Sequence, residues 1–240
     1  MQPEIYPAII EEAHKHKLRV AAHVYYLADA KALVAEGIDI IAHGVRDRPV
    51  DDEFIESMKK TGTWYMPTLG LDESFYLFAE RPAFTLEPFC LQALQSELKA
   101  QFADTKWRVV VANDLKNEQY RNALAINQRN LKRLHEAKVK IGFGTDSGAT
   151  PLRVPGFAEH RELQLITDAG ISPAEAIVMA TRNAAQLLGL SDRGRLAPGM
   201  RADFIVLEGN PMESIANTTK IVEVWQRGKK VSGPVTEFKP

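Results

Sequence analysis

The stretch Arg19-Val20-Ala21-Ala22-His23 ends in a histidine, and Ile38-Asp39-Ile40-Ile41-Ala42-His43-Gly44 ends in the same way 20 residues later. Between them, residues 28–36 have the pattern of a helix, and Gly37 suits a left-handed helix stop. Short apolar strands separated by helices are typical of a parallel sheet covered by helices. The sequence therefore predicts an α/β fold with both histidines at the C-terminal ends of neighbouring strands.

The same alternation extends on both sides of this stretch. We predict helices over residues 3–16, where Pro3 suits the first turn, and over 52–60, with a strand over 63–68 after the second of them. Later, a helix over 118–137 leads into a fourth strand over 139–145, and helices over 158–169 and 173–188 follow. Residues 1–190 are thus predicted to form one α/β domain.

Residues 70–117 interrupt the alternation, because a segment of this length is far longer than the usual link between a strand and its helix. We predict a partly helical insertion. Its role is open: a lid over a site, a satellite core or a dimer contact. The candidates for such contacts are its aromatic side chains, Phe75, Tyr76, Phe78, Phe84, Phe89 and Trp107.

Residues 191–240 have strand-like runs and turn residues in place of the strand-helix alternation, and they are predicted to form a second, small β unit. Ala202-Asp203-Phe204-Ile205-Val206-Leu207 and Ile221-Val222-Glu223-Val224-Trp225 are strand-like, and Pro198-Gly199 fits the central pair of a type II turn.

Composition limits the class of function. With 45% hydrophobic and 25% charged residues among 240, the chain has the balance of a soluble globular protein. Lys and Arg number 30 against 31 Asp and Glu, so no net field attracts nucleic acid or anionic lipid, and we expect a small-molecule substrate. The absence of a secretory signal and of an apolar run of about 18 residues makes a cytoplasmic location the default expectation.

A third polar residue ends a predicted strand, since Asp146 lies in Gly144-Thr145-Asp146-Ser147-Gly148. Parallel strand ends meet on one face, so His23, His43 and Asp146 are candidate metal ligands; Cys90 is the only cysteine, which excludes a cysteine-based zinc site. Each residue also has an ordinary structural explanation, because a strand-end histidine is often a hydrogen-bonded core residue and an aspartate before Ser-Gly often forms a turn.

The motifs together resemble the amidohydrolase superfamily, and most closely its imidazolonepropionase-like and Xaa-Pro dipeptidase-like members. The resemblance rests on Ala21-Ala22-His23, Ile41-Ala42-His43-Gly44, Gly144-Thr145-Asp146-Ser147-Gly148, Thr181-Arg182-Asn183-Ala184-Ala185 and Gly194-Arg195-Leu196-Ala197-Pro198-Gly199-Met200-Arg201-Ala202-Asp203. It implies the C-terminal part, strands five to eight, of a (β/α)8 TIM-type barrel, together with part of a small β-sandwich.

The resemblance also implies a chemistry. A divalent metal, with zinc as the leading choice and one or two ions in the complete protein, activates water against a carbon-nitrogen bond. His23 and His43 resemble metal ligands, and Asp146 resembles the aspartate that ligates metal and moves the proton to the leaving nitrogen. Tyr26, His160 and Arg153 are secondary candidates for substrate contacts, each of which could equally be a packing or surface residue.

One departure from the family pattern leaves two hypotheses open. The chain has neither the strand-borne His-x-His pair nor the bridging lysine of the family, and His14-Lys15-His16 is no substitute, because helix positions two apart point in nearly opposite directions. Either this is the C-terminal portion of a hydrolase or deaminase, or it is a noncatalytic half-barrel. Its unpaired strand edges would then need a second copy or a complementary N-terminal half.

Overall fold

The computed structural model describes residues 5–232 and confirms the strand-helix alternation at the start of the chain. The predicted start of the first helix at Pro3 lies outside these residues; Pro7 occupies the first turn. The elements are α1 (Tyr6–Lys15), β1 (Ala21–His23), α2 (Leu27–Ala35), β2 (Ile40–Ala42), α3 (Asp52–Thr61) and β3 (Trp64–Met66).

Helix α3 shows why these boundaries can be read from sequence. The Asp51 carboxylate accepts a hydrogen bond from the Phe54 amide at the first turn, and Gly62 ends the helix with φ of 71°. Glycine suits this left-handed backbone conformation because glycine has no Cβ. Phe54, Ile55 and Met58 then face the core at helical spacing.

The three strands form a parallel sheet in the order β1-β2-β3. Ala21 pairs with Ile40 and His23 with Ala42, while Ile40 pairs with Trp64. The C-terminal ends of the strands therefore lie at one edge of the sheet.

The predicted fourth strand, residues 139–145, is corrected to a single parallel bridge between Ile141 and Tyr65. Asn183 donates to the Ile141 carbonyl at 2.9 Å, so this carbonyl is satisfied by a side-chain amide and not by a neighbouring strand. A Cβ on Gly142 would lie 2.7 Å from Leu187, which shows how closely the neighbouring side chain approaches this backbone. The segment pairs with β3 through this one bridge and does not form a regular strand.

The insertion is helical over most of its length. It contains α4 (Gly70–Glu73), α5 (Leu77–Glu80), a 3₁₀ turn (Ala83–Leu86), α6 (Pro88–Ala93), α7 (Ser96–Ala103) and α8 (Thr105–Ala112). The rings of Phe78 and Phe102 stack with centroids 4.2 Å apart, in a separate cluster of buried residues that also includes Phe157. Of the three roles considered, this packing supports a satellite core.

Four further helices follow, and the last two correct a prediction. They are α9 (Lys116–Glu136), α10 (Phe157–Asp168) and α11 (Pro173–Val178), after which the single helix predicted over 173–188 is interrupted by a π-helical turn (Met179–Asn183) before α12 (Ala184–Leu187). The Asn183 amide that holds the Ile141 carbonyl lies at the end of this turn, so the local change of pitch coincides with a tertiary contact.

The tail forms a three-stranded antiparallel sheet, with β4 (Phe204–Leu207), β5 (Ile221–Gln226) and β6 (Lys229–Ser232) in that order. The predicted turn at Pro198-Gly199 is confirmed, because Gly199 has φ of 80° and the Met200 amide donates to the Ala197 carbonyl. The domain boundary near residue 190 stays a prediction. Among residues 5–232 no helix combines the length and apolarity needed to cross a bilayer.

Asn127 of α9 is a fully buried polar residue that ties together the ends of β2 and β3. Its amide nitrogen lies 2.9 Å from the Pro67 carbonyl and 3.4 Å from the His43 carbonyl, and its oxygen accepts from the Tyr65 hydroxyl. A Cβ on Gly44 would lie 2.3 Å from the Asn127 oxygen, so glycine is required after His43.

Replacing Asn127 with alanine should leave two carbonyls and a hydroxyl without this partner inside the core. We expect the free energy of unfolding to fall by about 2–4 kcal/mol, since an unsatisfied buried group costs about 1–3 kcal/mol. Urea denaturation measures the change. Asn122→Ala, at an exposed position of the same helix, is the matched control and should change stability by less than about 0.5 kcal/mol. Equal losses in the two variants would contradict the assignment.

Candidate functional site

His23 and His43 meet at the C-terminal ends of β1 and β2. His23 is the last residue of β1, and His43 directly follows β2. His23 Nδ1 lies 2.5 Å from His43 Nε2, and the ring centroids are 4.4 Å apart. The structure thus brings together two of the three residues predicted to bind metal.

The backbone and a neighbouring hydroxyl orient His43. Its φ of 72° turns the chain at the strand end, and its Nδ1 is hydrogen-bonded to Thr68 Oγ1 at 3.1 Å, which leaves Nε2 facing His23. Burial, followed by the influence of His23, lowers the pKa of His43 to about 4, with Arg46 and Arg153 acting in the same direction and Asp146 opposing them. The neutral imidazole that results is the form that ligates metals.

Asp146 lies in the loop after Ile141 and has φ of 56°. Its carboxylate forms an ion pair with Arg153, whose side chain is almost buried. Within residues 5–232, no three His, Cys, Asp or Glu side chains are grouped closely enough to hold a metal ion. The third predicted ligand is therefore close enough to influence His43 electrostatically but is paired with an arginine.

Glu159, in the first turn of α10, holds the loop on both sides of Asp146. Its Oε1 accepts from Thr145 Oγ1 at 3.1 Å and from Ser147 Oγ at 2.5 Å, while Oε2 accepts from the Gly156 amide at 2.7 Å. Burial opposes ionisation, but these hydrogen bonds outweigh it and lower the pKa of Glu159. Sequence reasoning missed this residue, although its place three residues after Gly156 is a helix-start signal.

Arg46 is a second residue that sequence reasoning missed. Its Nη1 donates to the carbonyls of Val24 at 3.0 Å, His43 at 2.7 Å and Gly44 at 3.2 Å, which joins the loops after β1 and β2. Its Nε lies 3.1 Å from Asp72 Oδ2, in an ion pair that is largely buried. Burial raises the pKa of Asp72, and the charge of Arg46 opposes that rise.

Glu162 performs a similar task after β3. This fully buried carboxylate accepts from the amides of Leu69 at 2.7 Å and Gly70 at 2.8 Å, at the start of α4. Burial raises its pKa to about 8, although the two amides favour the charged form. No sequence signal separates this residue from the other charged residues of Glu159-His160-Arg161-Glu162.

The three predicted substrate residues lie in different places. Tyr26 is 55% exposed and lies just before α2, and Arg153 contacts Asp146. His160 Nδ1 instead lies 3.0 Å from Thr218 Oγ1, and its ring packs edge-on against Phe89 beside a separate cavity of about 550 Å³. The structure therefore does not group His160 with the two facing histidines.

The facing histidines fit part of a donor set for one divalent ion. Two nitrogens at the usual Zn–N distance of about 2.0–2.1 Å in a tetrahedral site lie about 3.3 Å apart, so a slight separation of the rings would admit an ion between them. Thr68 supplies the second hydrogen bond that orients a metal-ligating imidazole. Asp146 would have to leave Arg153 to join them.

Parallel strands that end in two facing histidines, with a small antiparallel sheet later in the chain, form the strand-end arrangement predicted from the motifs. The chain belongs to the amidohydrolase family, whose model matches residues 2–231. The family predicted from the sequence is confirmed.

Three relatives illustrate the relationship. The chain is 31% identical to ochratoxinase from Aspergillus niger across 97% of its own length and 42% of that protein, and it matches the crystal structure of that enzyme with a TM-score of 0.69. It is 39% identical to imidazolonepropionase from Deinococcus deserti over 104 residues, which are 42% of this chain and 26% of that protein. A Xaa-Pro dipeptidase structure shares the fold, with a TM-score of 0.68 and 24% identity over 97% of this chain and 49% of that one. The chain thus spans about half the length of these relatives or less.

The low pKa of His43 makes stability depend on pH in a defined direction. Its pKa falls from an ordinary 6.5 to about 4 on folding, so the unfolded chain binds more protons between those values. We expect the metal-free protein to lose up to about 3 kcal/mol of stability as the pH falls from about 6.5 to about 4, because one pKa unit corresponds to about 1.4 kcal/mol.

Urea denaturation at several pH values, with a chelator present, measures this loss. His43→Asn should remove that part of the pH dependence, since asparagine does not titrate in this range. An identical pH profile in the variant and the wild type would show that His43 is not held in its neutral form by burial.

Proposed function

We propose that the complete protein to which this chain contributes is a metal-dependent hydrolase acting on a carbon-nitrogen bond in an amide, a cyclic amide or a dipeptide. The observation that carries the proposal is the 2.5 Å approach of His23 Nδ1 to His43 Nε2 at adjacent strand ends. Membership of the amidohydrolase family, whose superfamily generally uses divalent metals, supports it. The names of the relatives, ochratoxinase, imidazolonepropionase and Xaa-Pro dipeptidase, agree with this class of bond.

In this proposal, β1 to β3 and the segment around Ile141 are strands five to eight of a (β/α)8 barrel, and residues 191–240 belong to a composite β-sandwich. The parallel pairing of β1 with β2 and of β2 with β3, and the parallel bridge from β3 to Ile141, support the barrel assignment. Strand ends at one edge are where barrels of this type place their catalytic groups.

His23 and His43 would hold a divalent ion, for which zinc suits the imidazole donors best. A bound ion supplies Lewis-acid polarisation of the substrate and lowers the pKa of water. Asp146, once released by Arg153, accepts the proton from the attacking water and gives it to the leaving nitrogen. In this proposal the freed guanidinium of Arg153 and the phenol of Tyr26 contact the substrate; the ion pair of Arg153 with Asp146 and the exposure of Tyr26 support these roles.

The test uses the complete protein loaded with zinc, with N-acyl amino acids and Xaa-Pro dipeptides as substrates. Asp146→Asn should lower kcat by about 10²–10⁴-fold, since it removes the proton acceptor while keeping the shape of the side chain. Asp29→Asn, at an exposed position of α2, is the matched control and should keep full activity. An Asp146→Asn variant with wild-type kcat would refute the proposed role.

The second candidate is that this chain alone is noncatalytic and acts only with a second copy or a complementary N-terminal half. Two observations favour it: residues 5–232 bring only two donor side chains together, and apolar side chains remain exposed on or next to α1 and on the small sheet. These exposed residues are Ile5, Ile9, Leu18, Ile205, Val206, Val222 and Val231. One zinc per chain that resists dialysis would contradict this candidate, because a two-histidine site is weak.

A further inference from the structure

We propose that Glu159 is a positioning residue for Asp146. Its carboxylate accepts hydrogen bonds from the hydroxyls on either side of Asp146 and thereby fixes the direction of the Asp146 side chain. The geometric part of this inference stands on the contacts of Glu159. Its catalytic consequence rests on the proposed function, in which Asp146 moves a proton.

The loop needs stabilising contacts from outside because Asp146 has a backbone conformation that residues with a Cβ rarely adopt. Its φ is 56°, in the left-handed region, and the backbone there is no longer part of a strand. Such a conformation persists where surrounding contacts over-determine it. Thr145 and Ser147 supply those contacts from both sides, and both donate to the same oxygen of Glu159.

The contacts of the loop form a connected chain that also includes the partner of Asp146. The Ser147 amide donates to Thr145 Oγ1 at 3.1 Å, and that hydroxyl in turn donates to Glu159. The Gly148 amide donates to the Arg153 carbonyl at 2.8 Å. One carboxylate therefore stabilises a loop that carries both Asp146 and the backbone contact of Arg153.

Comparison with a second glutamate, Glu175, distinguishes this role from ordinary helix capping. Glu175 has the same place in α11 that Glu159 has in α10, three residues after the residue that starts the helix. Glu175 accepts from the Ser172 amide at 3.3 Å and from Ser172 Oγ at 2.6 Å, within its own helix start. Its other contact is with His135, away from the strand ends. Only Glu159 of this pair reaches the loop at Asp146.

The experiment compares Glu159→Gln, Ser147→Ala and Glu175→Gln in the complete, zinc-loaded protein. Glutamine has one acceptor oxygen, so Glu159→Gln cannot serve both the hydroxyls and the Gly156 amide. We expect kcat to fall about 10–100-fold with KM within about twofold of the wild type, the range typical of residues that orient catalytic groups. Ser147→Ala should give a smaller fall in kcat, and Glu175→Gln should leave kcat unchanged.

Hydrogen-deuterium exchange of residues 144–149 gives a readout that is independent of activity. Glu159→Gln and Ser147→Ala should speed exchange in this segment, whereas Glu175→Gln should speed it only near residue 172. If Glu159→Gln leaves exchange at 144–149 unchanged, or if Glu175→Gln lowers kcat equally, the positioning role is overturned. Should Glu159→Gln fail to fold, Ser147→Ala alone decides by the same two measurements.

An inactive wild-type protein would overturn the proposed hydrolase function and not the geometric claim. Exchange at residues 144–149 would still test whether Glu159 holds the loop. Faster exchange in Glu159→Gln with an unchanged kcat in an active enzyme would remove the catalytic consequence and leave a structural brace.

Discussion

The buried amide of Asn127 is the contact on which the arrangement of the strand ends depends. Parallel strands that stop at one edge leave carbonyl and amide groups inside a region that water does not reach, and each group needs a partner. Asn127 satisfies the ends of β2 and β3 together with the Tyr65 hydroxyl. Because it requires Gly44 to have no side chain, the same contact explains the glycine that follows His43.

Other buried ionisable residues extend this principle around the edge of the sheet. Arg46 joins the loops after β1 and β2, Glu162 holds the loop after β3, and Glu159 holds the loop at Asp146. The low local dielectric strengthens each of these hydrogen bonds and penalises each missing one. Side chains thus hold the four loops around the facing histidines, those of Glu159 and Glu162 from α10 and that of Arg46 from within the loop after β2.

The edge of the parallel sheet and the exposed apolar side chains bear on the second candidate in the same way, because both are surfaces that a further chain would cover. A parallel sheet with an uncovered edge exposes backbone hydrogen-bonding groups. Apolar side chains remain exposed next to α1 and on the small sheet, and also in other segments, as at Val110, Leu115 and Leu196. The ion pair between Arg153 and Asp146 lies in the same region, where a carboxylate near buried groups is stabilised by a neighbouring cation.

The sequence alone predicted the strand-helix order, the ends of α3, the type II turn, the family and the meeting of His23 with His43. These follow from local rules: side-chain periodicity, capping residues, glycine at left-handed positions and a fixed spacing between strand ends. The tertiary structure decided that residues 139–145 form only one bridge, that a π-helical turn divides the predicted helix over 173–188, and that His160 faces Thr218. It also revealed Arg46, Glu159 and Glu162, because a charged residue that braces a distant loop looks in sequence like any solvent-facing charge, and only the packing of separate elements determines which charges are buried and what they hold.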